Sequence, residues 1–150
     1  MTAHDKGLVL FICTGNYYRS RFAEALFNYY ARLVELPWRA VSRGLTPHLI
    51  RGDISPQTED ALLMRGISLE HTAPEKQALS EDDLLRADLV IALKEAEHRP
   101  LMRLYFPDWV DRIEYWSPEP SNGLGTATVL RQIENSVQEL VTELARELVR

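Results

Sequence analysis

One cysteine and one arginine, six positions apart, carry the chemistry that this sequence most clearly encodes. Cys13 is the single cysteine of the 150 residues, and it ends the apolar run Leu-Val-Leu-Phe-Ile at positions 8–12. Arg19 follows after a short polar stretch. A thiolate is a nucleophile, and the planar guanidinium of arginine matches the oxygens of a phosphate group. The pair is therefore suited to attack on a bound phosphoryl group.

The stretch between these two residues is predicted to be a phosphate-binding loop. A buried strand at 8–12 leads into it and an amphipathic helix at 19–35 leads out of it. The first amides of a helix lack intrahelical acceptors, and the helix dipole favours an anion beside them. We expect Gly15 to let the loop wrap tightly through a positive φ. Asn16 is expected to adopt a left-handed conformation and to tie the loop together through its side chain. The substrate-binding candidates are Thr14, Gly15, Asn16, Tyr17, Tyr18 and Ser20.

Strand-like and helical patterns alternate along the chain. Strands are predicted at 8–12, 39–42, 88–93 and 112–116, and helices at 19–35, 56–65, 81–86, 94–104 and 126–148. Ser20, Ser55 and Ser80 are predicted helix N-caps, and Gly66 is a predicted helix C-cap. The alternation predicts an α/β fold, a doubly wound, four-stranded parallel sheet with helices on both faces. Such sheets bind ligands beyond the carboxyl ends of their strands, which is where Cys13 falls.

Composition indicates an ordinary globular protein with one domain over residues 1–150. The net charge of −5 argues against a nucleic-acid partner. A single cysteine cannot form an intramolecular disulfide, so we expect a cytoplasmic protein. The chain has no signal-peptide pattern at its start and no run of the roughly 20 apolar residues that span a bilayer, so no membrane association is expected. We expect a monomer without a cofactor, and the spacing of His4, His48 and His98 predicts no metal site.

The segment Cys13-Thr-Gly-Asn-Tyr-Tyr-Arg19-Ser20, followed by Ala-Glu-Ala-Leu-Phe at 23–27, resembles the low-molecular-weight protein tyrosine phosphatases. Further segments resemble the same family in the same order, at 41–44, 65–71, 87–93 and 113–116. The resemblance therefore extends along most of the chain. It implies a flavodoxin-like strand order with the phosphate-binding loop after the first strand.

The resemblance also implies roles for individual residues. Cys13 would attack the phosphorus in line and form a thiophosphate that water then hydrolyses. The amides of residues 14–19, with the Arg19 guanidinium, would cradle the phosphoryl oxygens. Ser20 would donate its hydroxyl to the Cys13 sulfur, and Ser42 and His71 would brace the loop from behind.

Two positions depart from the family pattern. Tyr18 stands where many members carry a second cysteine, so Cys13 has no intramolecular disulfide partner, and the missing cysteines argue against an arsenate reductase. The family supplies the general acid from an Asp-Pro pair after the fourth strand, whereas this chain has Glu119-Pro120 there. Glu119 is the expected acid, and Asp108 and Asp111 are the alternatives.

Three functional interpretations remain open from the sequence. The first is a cysteine-dependent phosphomonoesterase acting on phosphotyrosine in a phosphorylated protein or peptide, with Tyr17 and Tyr18 as a candidate aromatic wall. The second is a phosphate-binding module of the same fold that turns its ligand over poorly. The third is a phosphatase for phosphoarginine, which some relatives prefer.

Overall fold

Four parallel strands form the centre of the molecule. A computed structural model describes residues 7–117 and 125–149. The strands are β1 (Gly7–Cys13), β2 (Trp38–Gly44), β3 (Leu89–Ala92) and β4 (Glu114–Tyr115). They pair in the order β2-β1-β3-β4, and every pairing is parallel. The predicted doubly wound sheet with flavodoxin-like order is confirmed.

Five helices connect and cover the described strands. They are α1 (Arg19–Leu33), α2 (Pro56–Met64), α3 (Glu81–Arg86), α4 (Glu95–Tyr105) and α5 (Thr126–Leu148). Ser55 caps α2 by accepting from the amide of Thr58, and Ser80 forms a capping box with Asp83 at the start of α3. Gly66 ends α2 with φ +70°, a conformation that glycine adopts at low cost.

Alternate residues of β1 pack on opposite faces of the sheet. Val9 and Phe11 contact the core formed with α1 and α5, where Phe11 meets Phe27 edge-on at 6.1 Å between ring centroids. Leu10 and Ile12 contact the second core, formed with α3 and α4. Because β1 is buried on both faces, its residues are apolar without alternation, which is typical of a central parallel strand.

The carboxyl end of β1 lies at a crevice in the sheet, between the connections that lead to its two neighbouring strands. From β1 the chain passes to β2 on one side, and β3 lies on the other side of β1. The carboxyl end of β1 is thus the point at which the winding changes direction, the usual ligand position in such sheets. Cys13 pairs with Gly44 of β2, and Ile12 pairs with Ala92 of β3, so both neighbouring strands end beside the cysteine.

Most predicted bounds differ from the observed ones by one or two residues, and two further differences have a specific cause. β4 comprises two residues instead of the five predicted at 112–116, because Arg112 still belongs to a turn in which its amide donates to the carbonyl of Trp109 at 2.9 Å. Ser20 is not the cap of α1, which begins at Arg19, and its hydroxyl turns to the site described below. Within the described residues, no helix is long and apolar enough to cross a membrane.

Candidate active site

A cavity of about 230 Å³ opens at the carboxyl end of β1. Eight residues line it: Cys13, Thr14, Gly15, Tyr17, Tyr18, Arg19, Ile50 and Glu97. Cys13 lies at its base with 4% of its surface exposed. The structure thus brings together both residues expected to carry the chemistry and four of the six substrate-binding candidates. Larger hollows lie along α5 and elsewhere, but none of their lining residues is a cysteine.

The loop and the start of α1 leave a cluster of amides available beside Cys13. No side chain caps the amino end of α1, and its first turn carries no acidic residue. Within the described chain, the amides of residues 14–18 donate to no backbone carbonyl. Unpaired amides at a helix amino end form an anion-binding site, which the helix dipole reinforces.

A directed hydrogen-bond chain runs from the loop to the sulfur. The Nδ2 of Asn16 donates to Ser20 Oγ at 3.0 Å, and Ser20 Oγ lies 2.9 Å from Cys13 Sγ. The amide NH₂ of asparagine can only donate, so Ser20 accepts there and keeps its own proton for the sulfur. The arrangement therefore allows Ser20 to donate to the sulfur, which as a thiolate is an acceptor only.

The same amide group continues the chain in the opposite direction. Asn16 Nδ2 also donates to Ser42 Oγ at 2.9 Å, and Ser42 donates to Glu24 Oε1 at 2.7 Å. Thr72 donates to the same carboxylate oxygen at 2.6 Å. Burial raises the pKa of the Glu24 carboxyl, while the hydroxyls of Thr72 and Ser42 act against that rise. The loop is therefore tied to β2 and α1 through a fully buried network.

The backbone of the loop depends on close contacts. Asn16 has φ +50°, and its Oδ1 accepts from the amide of Gln77 at 2.7 Å, which fixes which end of the side chain donates. Gly15 does not have the positive φ expected for it; Asn16 takes that conformation alone within the loop. A Cβ on Gly44 would lie 2.6 Å from the backbone nitrogen of Asn16. The close approach of β2 to the loop therefore requires glycine at position 44.

Arg19 is held by a carboxylate. Its Nη1 donates to Glu97 Oε2 at 3.1 Å, and Thr14 Oγ1 donates to the same oxygen at 2.6 Å. His98 Nε2 lies 3.3 Å from that oxygen. The contact with His98, the hydroxyl of Thr14 and the charge of Arg19 hold the pKa of Glu97 well below its usual range, against the effect of burial. Glu97 is therefore ionised and carries no proton to donate as a general acid.

A second arginine is buried beside the loop. Arg21 is 1% exposed, its Nη1 donates to the carbonyl of Glu75 at 3.0 Å, and its Nε has no hydrogen-bond partner in the described chain. Burial lowers its pKa, and the charges of Glu24, Asp53 and Cys13 raise it. The site thus contains a buried cation in addition to Arg19.

Both tyrosines of the loop line the cavity. Tyr17 lies on its wall with Ile50, and its carbonyl accepts from the amide of Ser55 at 2.8 Å. Tyr18 also packs against the core, with its hydroxyl 3.5 Å from the carbonyl of Thr126 and the Arg19 guanidinium 5.7 Å from its ring centroid. Desolvation raises the pKa of Tyr18.

His71 does not reach the loop. Its ring packs edge-on against Tyr29, with centroids 5.8 Å apart, and its carbonyl accepts from Asn28 at 2.9 Å. Among the described residues, Glu24 and Thr72 form the hydrogen bonds behind Ser42, and the His71 side chain forms none with the loop.

Neither of the two alternative candidates for the general acid, Asp108 and Asp111, is found at the cavity. Asp108 and Asp111 lie on the segment that leads into the amino end of β4, and neither lines the cavity. Asp111 is 82% exposed and forms an ion pair with Arg99 at 2.7 Å. Glu119 lies outside the described residues. Within those residues, no three His, Cys, Asp or Glu side chains cluster as a metal site.

Sequence reasoning missed five residues of the site, Arg21, Glu24, Ile50, Thr72 and Glu97, and two signals could have found three of them. Arg21 and Glu24 are charged residues on the otherwise apolar face of α1, and a charge there requires a buried partner. Glu97 lies in the first turn of α4, shortly after β3 and at the same edge of the sheet as Cys13. Ile50 and Thr72 carry no such signal.

A buried cysteine at the base of an anion-binding loop, with a serine proton aimed at its sulfur, defines the class of cysteine-dependent phosphatases. Residues 8–150 match the family described as "Low molecular weight phosphotyrosine protein phosphatase". The chain belongs to this family. Its expected membership, inferred from the cysteine-to-arginine motif, is confirmed.

Relatives and solved structures agree with this assignment. The protein-arginine-phosphatase of Bacillus subtilis (strain 168) is 29% identical over 150 residues, covering 93% of this chain and 95% of that protein. The low molecular weight phosphotyrosine protein phosphatase of Gallus gallus is 30% identical over 105 residues, 69% of this chain and 65% of that protein. The crystal structure of a low molecular weight protein tyrosine phosphatase from T. tengcongensis matches with a TM-score of 0.72 at 25% identity, covering 95% of this chain and 99% of that one.

Proposed function

We propose that this phosphatase hydrolyses phosphotyrosine in proteins, with Cys13 as the nucleophile. The contact of Ser20 with Cys13 carries the proposal, because the hydroxyl lies 2.9 Å from the sulfur and can donate to a thiolate, a partner that a buried apolar cysteine does not need. The uncapped amino end of α1 supplies the anion site beside it. A module that only bound phosphate would need the second feature but not the first.

The reaction has two steps. In the first, the Cys13 sulfur forms a bond to phosphorus while the bond to the leaving oxygen breaks, and Arg19 with the loop amides stabilises the charge on the equatorial oxygens. In the second, water attacks phosphorus and the sulfur departs as a thiolate, which the Ser20 hydroxyl stabilises. The product is inorganic phosphate, and Cys13 returns to its starting state.

We propose Glu119 as the general acid that protonates the leaving oxygen and then takes a proton from the attacking water. β4 ends at Tyr115, at the same sheet edge as Cys13, and Glu119 follows four positions later in the sequence. Ser117, the last described residue before it, contacts Glu95 at 3.2 Å in the first turn of α4, two positions before Glu97 of the cavity. Glu97 is unsuited to this role because it is held ionised.

The cavity wall favours an aromatic leaving group. Tyr17, Tyr18 and Ile50 give the wall an apolar surface on which a flat phenyl ring can pack. The contact is available to tyrosine phosphate and not to the short side chains of phosphoserine or phosphothreonine.

Phosphoarginine is a second candidate substrate, favoured by one observation. The carboxylate of Glu97 lines the same cavity, and a carboxylate can accept hydrogen bonds from a substrate guanidinium. One relative carries the name protein-arginine-phosphatase. In this chain, however, Glu97 already binds Arg19 and Thr14 through one oxygen, so a substrate guanidinium would have to use the other.

Cysteine content and net charge support a proposal for the oligomeric state, compartment and partners of this phosphatase. We propose a single-domain monomer over residues 1–150 that acts on phosphorylated proteins in the cytoplasm, where the unpaired Cys13 stays reduced. The net charge of −5 supports a partner other than nucleic acid.

The deciding experiment measures hydrolysis of p-nitrophenyl phosphate, a phosphotyrosine peptide and a phosphoarginine peptide under reducing conditions. The variants are Cys13→Ser, which removes the nucleophile, and Glu119→Gln, with Asp111→Asn as its matched control. We expect phosphotyrosine turnover by the native protein, none by Cys13→Ser, and slowing of about 100- to 10,000-fold by Glu119→Gln alone.

Each contrary outcome selects another interpretation. Preferential hydrolysis of the phosphoarginine peptide would mean that phosphoarginine is the substrate, and the proposed role of Cys13 would be unchanged. A native protein that binds phosphotyrosine peptide as tightly as Cys13→Ser does, without turnover, would be the phosphate-binding module.

A further inference from the structure

The guanidinium of Arg19 has a carboxylate partner that phosphoryl transfer does not itself require. Glu97 Oε2 accepts from Nη1 of Arg19 at 3.1 Å. The other donors of this guanidinium, at Nε and Nη2, make no hydrogen bond with another described residue. They form the fork that binds two phosphate oxygens at once, so Glu97 occupies one corner of Arg19 and leaves that fork available.

Glu97 is itself fixed by its neighbours. The Nδ1 of the buried His98 accepts from the amide of Lys94 at 3.0 Å, so the ring proton of the neutral imidazole lies on Nε2. That Nε2 lies 3.3 Å from Glu97 Oε2, a close polar contact rather than a hydrogen bond, and has no hydrogen-bond partner among the described residues. Thr14 donates to the same oxygen at 2.6 Å. Three groups from α4, the loop and α1 thus converge on one oxygen.

A permanent negative charge at this place opposes a bound dianion. Glu97 lines the cavity that holds the anion site, and its carboxylate remains ionised for the reasons given above. Like charges in a partly desolvated site repel more strongly than in water. The carboxylate therefore weakens the hold on inorganic phosphate after the reaction, while it keeps Arg19 oriented during the reaction.

We propose that Glu97 is a positioning residue that presets the Arg19 fork and, through its charge, limits retention of the phosphate product. The inference rests on the proposed function of this cavity. It assigns two separable effects to one side chain. Orientation depends on the acceptor atom and repulsion depends on the charge.

Two substitutions separate these effects. Glu97→Gln keeps an acceptor oxygen at the same length of side chain and removes the charge, whereas Glu97→Ala removes both. Glu134→Gln is the matched control, since Glu134 likewise pairs with an arginine, Arg65 at 3.0 Å, and does not line the cavity. The measurements are kcat and KM for p-nitrophenyl phosphate and the competitive inhibition constant of inorganic phosphate at pH 7.

We expect Glu97→Gln to bind inorganic phosphate at least about threefold more tightly, as loss of one repulsive charge predicts. The kcat of Glu97→Ala is expected to fall about tenfold or more, because Arg19 is no longer oriented. Substrates with a better leaving group should restore little of this lost kcat. Glu134→Gln should match the native protein in all three constants.

Two results would overturn the proposal: unchanged phosphate inhibition in Glu97→Gln, or native kcat in Glu97→Ala. Protection of Cys13 from iodoacetamide by inorganic phosphate gives the same binding constants without turnover. A native protein that is protected but hydrolyses nothing would therefore refute the proposed function, while the comparison of variants would still decide the effect of the Glu97 charge. Thermal unfolding of each variant checks that it remains folded.

Discussion

The hydroxyl of Ser20 lies 2.9 Å from the sulfur of Cys13, and its proton is free for that sulfur. Asn16 sets the direction, because its NH₂ donates to Ser20 while its Oδ1 accepts from the amide of Gln77. Gln77 lies 61 positions from Asn16 in sequence. The orientation of Asn16, which leaves the Ser20 proton available, thus depends on a segment distant in sequence.

Replacing this hydroxyl should slow the second step of the reaction more than the first. In Ser20→Ala the sulfur must leave the phosphorus without a hydrogen bond. Hydrogen bonds to charged groups contribute about 1.5–3 kcal/mol. We therefore expect turnover to fall about tenfold to hundredfold. Rapid mixing with p-nitrophenyl phosphate should show a burst of p-nitrophenol, because the thiophosphate accumulates.

The control for this variant is Ser80→Ala. Ser80 caps α3 and accepts from the amide of Asp83 at 3.2 Å, away from the cavity. Its replacement should cost about 1 kcal/mol of stability without changing the burst. Ser20→Ala kinetics with a slower first step and no burst would contradict the assigned role.

Two glycines of the site should respond differently to alanine. A Cβ on Gly44 would meet backbone atoms, 2.6 Å from the Asn16 nitrogen and 2.8 Å from the Gly15 carbonyl carbon. A Cβ on Gly15 would meet the Cγ1 of Ile50 at 2.8 Å, a side chain that can rotate away. Gly44→Ala should therefore lose about 1–3 kcal/mol of stability and most activity. Gly15→Ala should retain more of both.

Urea unfolding and kcat/KM for p-nitrophenyl phosphate measure this difference. Equal losses in the two variants would mean that the loop tolerates no added volume anywhere. Greater damage from Gly15→Ala than from Gly44→Ala would show that β2 is not the surface against which the loop is fixed.

Asn16 combines a backbone role with a side-chain role, and two substitutions separate them. Its φ of +50° is unfavourable for alanine by about 1–2 kcal/mol and not for glycine. Asn16→Gly should therefore be more stable than Asn16→Ala by about 1 kcal/mol. Both should lose activity to a similar degree, because both lack the amide that directs Ser20 and Ser42. Activity that returned in Asn16→Gly would assign the role of Asn16 to its backbone alone.

The fold followed from the sequence because its signals were local. Two helices, at 81–86 and 126–148, have the predicted bounds, since the capping box of Ser80 and the apolar spacing of α5 are readable in single segments. β4 was predicted too long because residues 112–115 alternate between polar and apolar side chains as a strand does, although the preceding turn continues through Arg112.

The site was predicted less completely because its network joins distant segments. Cys13, Arg19 and Ser20 lie in one motif, and their spacing was sufficient to propose them. Glu24 and Thr72, 48 positions apart, meet only when α1 and the segment after α2 pack together. The same holds for Arg19 and Glu97, which are 78 positions apart. Spacing within a motif cannot indicate such pairs.

The lowered pKa of Glu97 predicts a pH dependence of stability. The carboxyl titrates near its ordinary pKa of about 4.3 in the unfolded chain and well below it in the folded protein, because of His98, Thr14 and Arg19. Its contribution is thus fully present above about pH 5 and is lost as the pH falls toward the folded value. The difference in urea midpoint between the native protein and Glu97→Gln should be constant from pH 8 to 5 and shrink below it. A difference that grew on acidification would contradict this sign.

Arg21 should separate stability from activity. Burying a cation with one neutral acceptor is costly, and desolvation accordingly lowers its pKa. Arg21→Met fills a similar volume without the charge, so its thermal midpoint should equal or exceed that of the native protein. Its turnover should fall about tenfold, equivalent to about 1.4 kcal/mol, because Cys13 loses the field of a buried cation and the carbonyl of Glu75 loses its donor. Arg21→Lys, which keeps the charge, should retain more activity than Arg21→Met.

An Arg21→Met variant that is less stable but fully active would show that Arg21 serves packing alone. A variant that is stable but slow would show that the charge of Arg21 assists the reaction of Cys13.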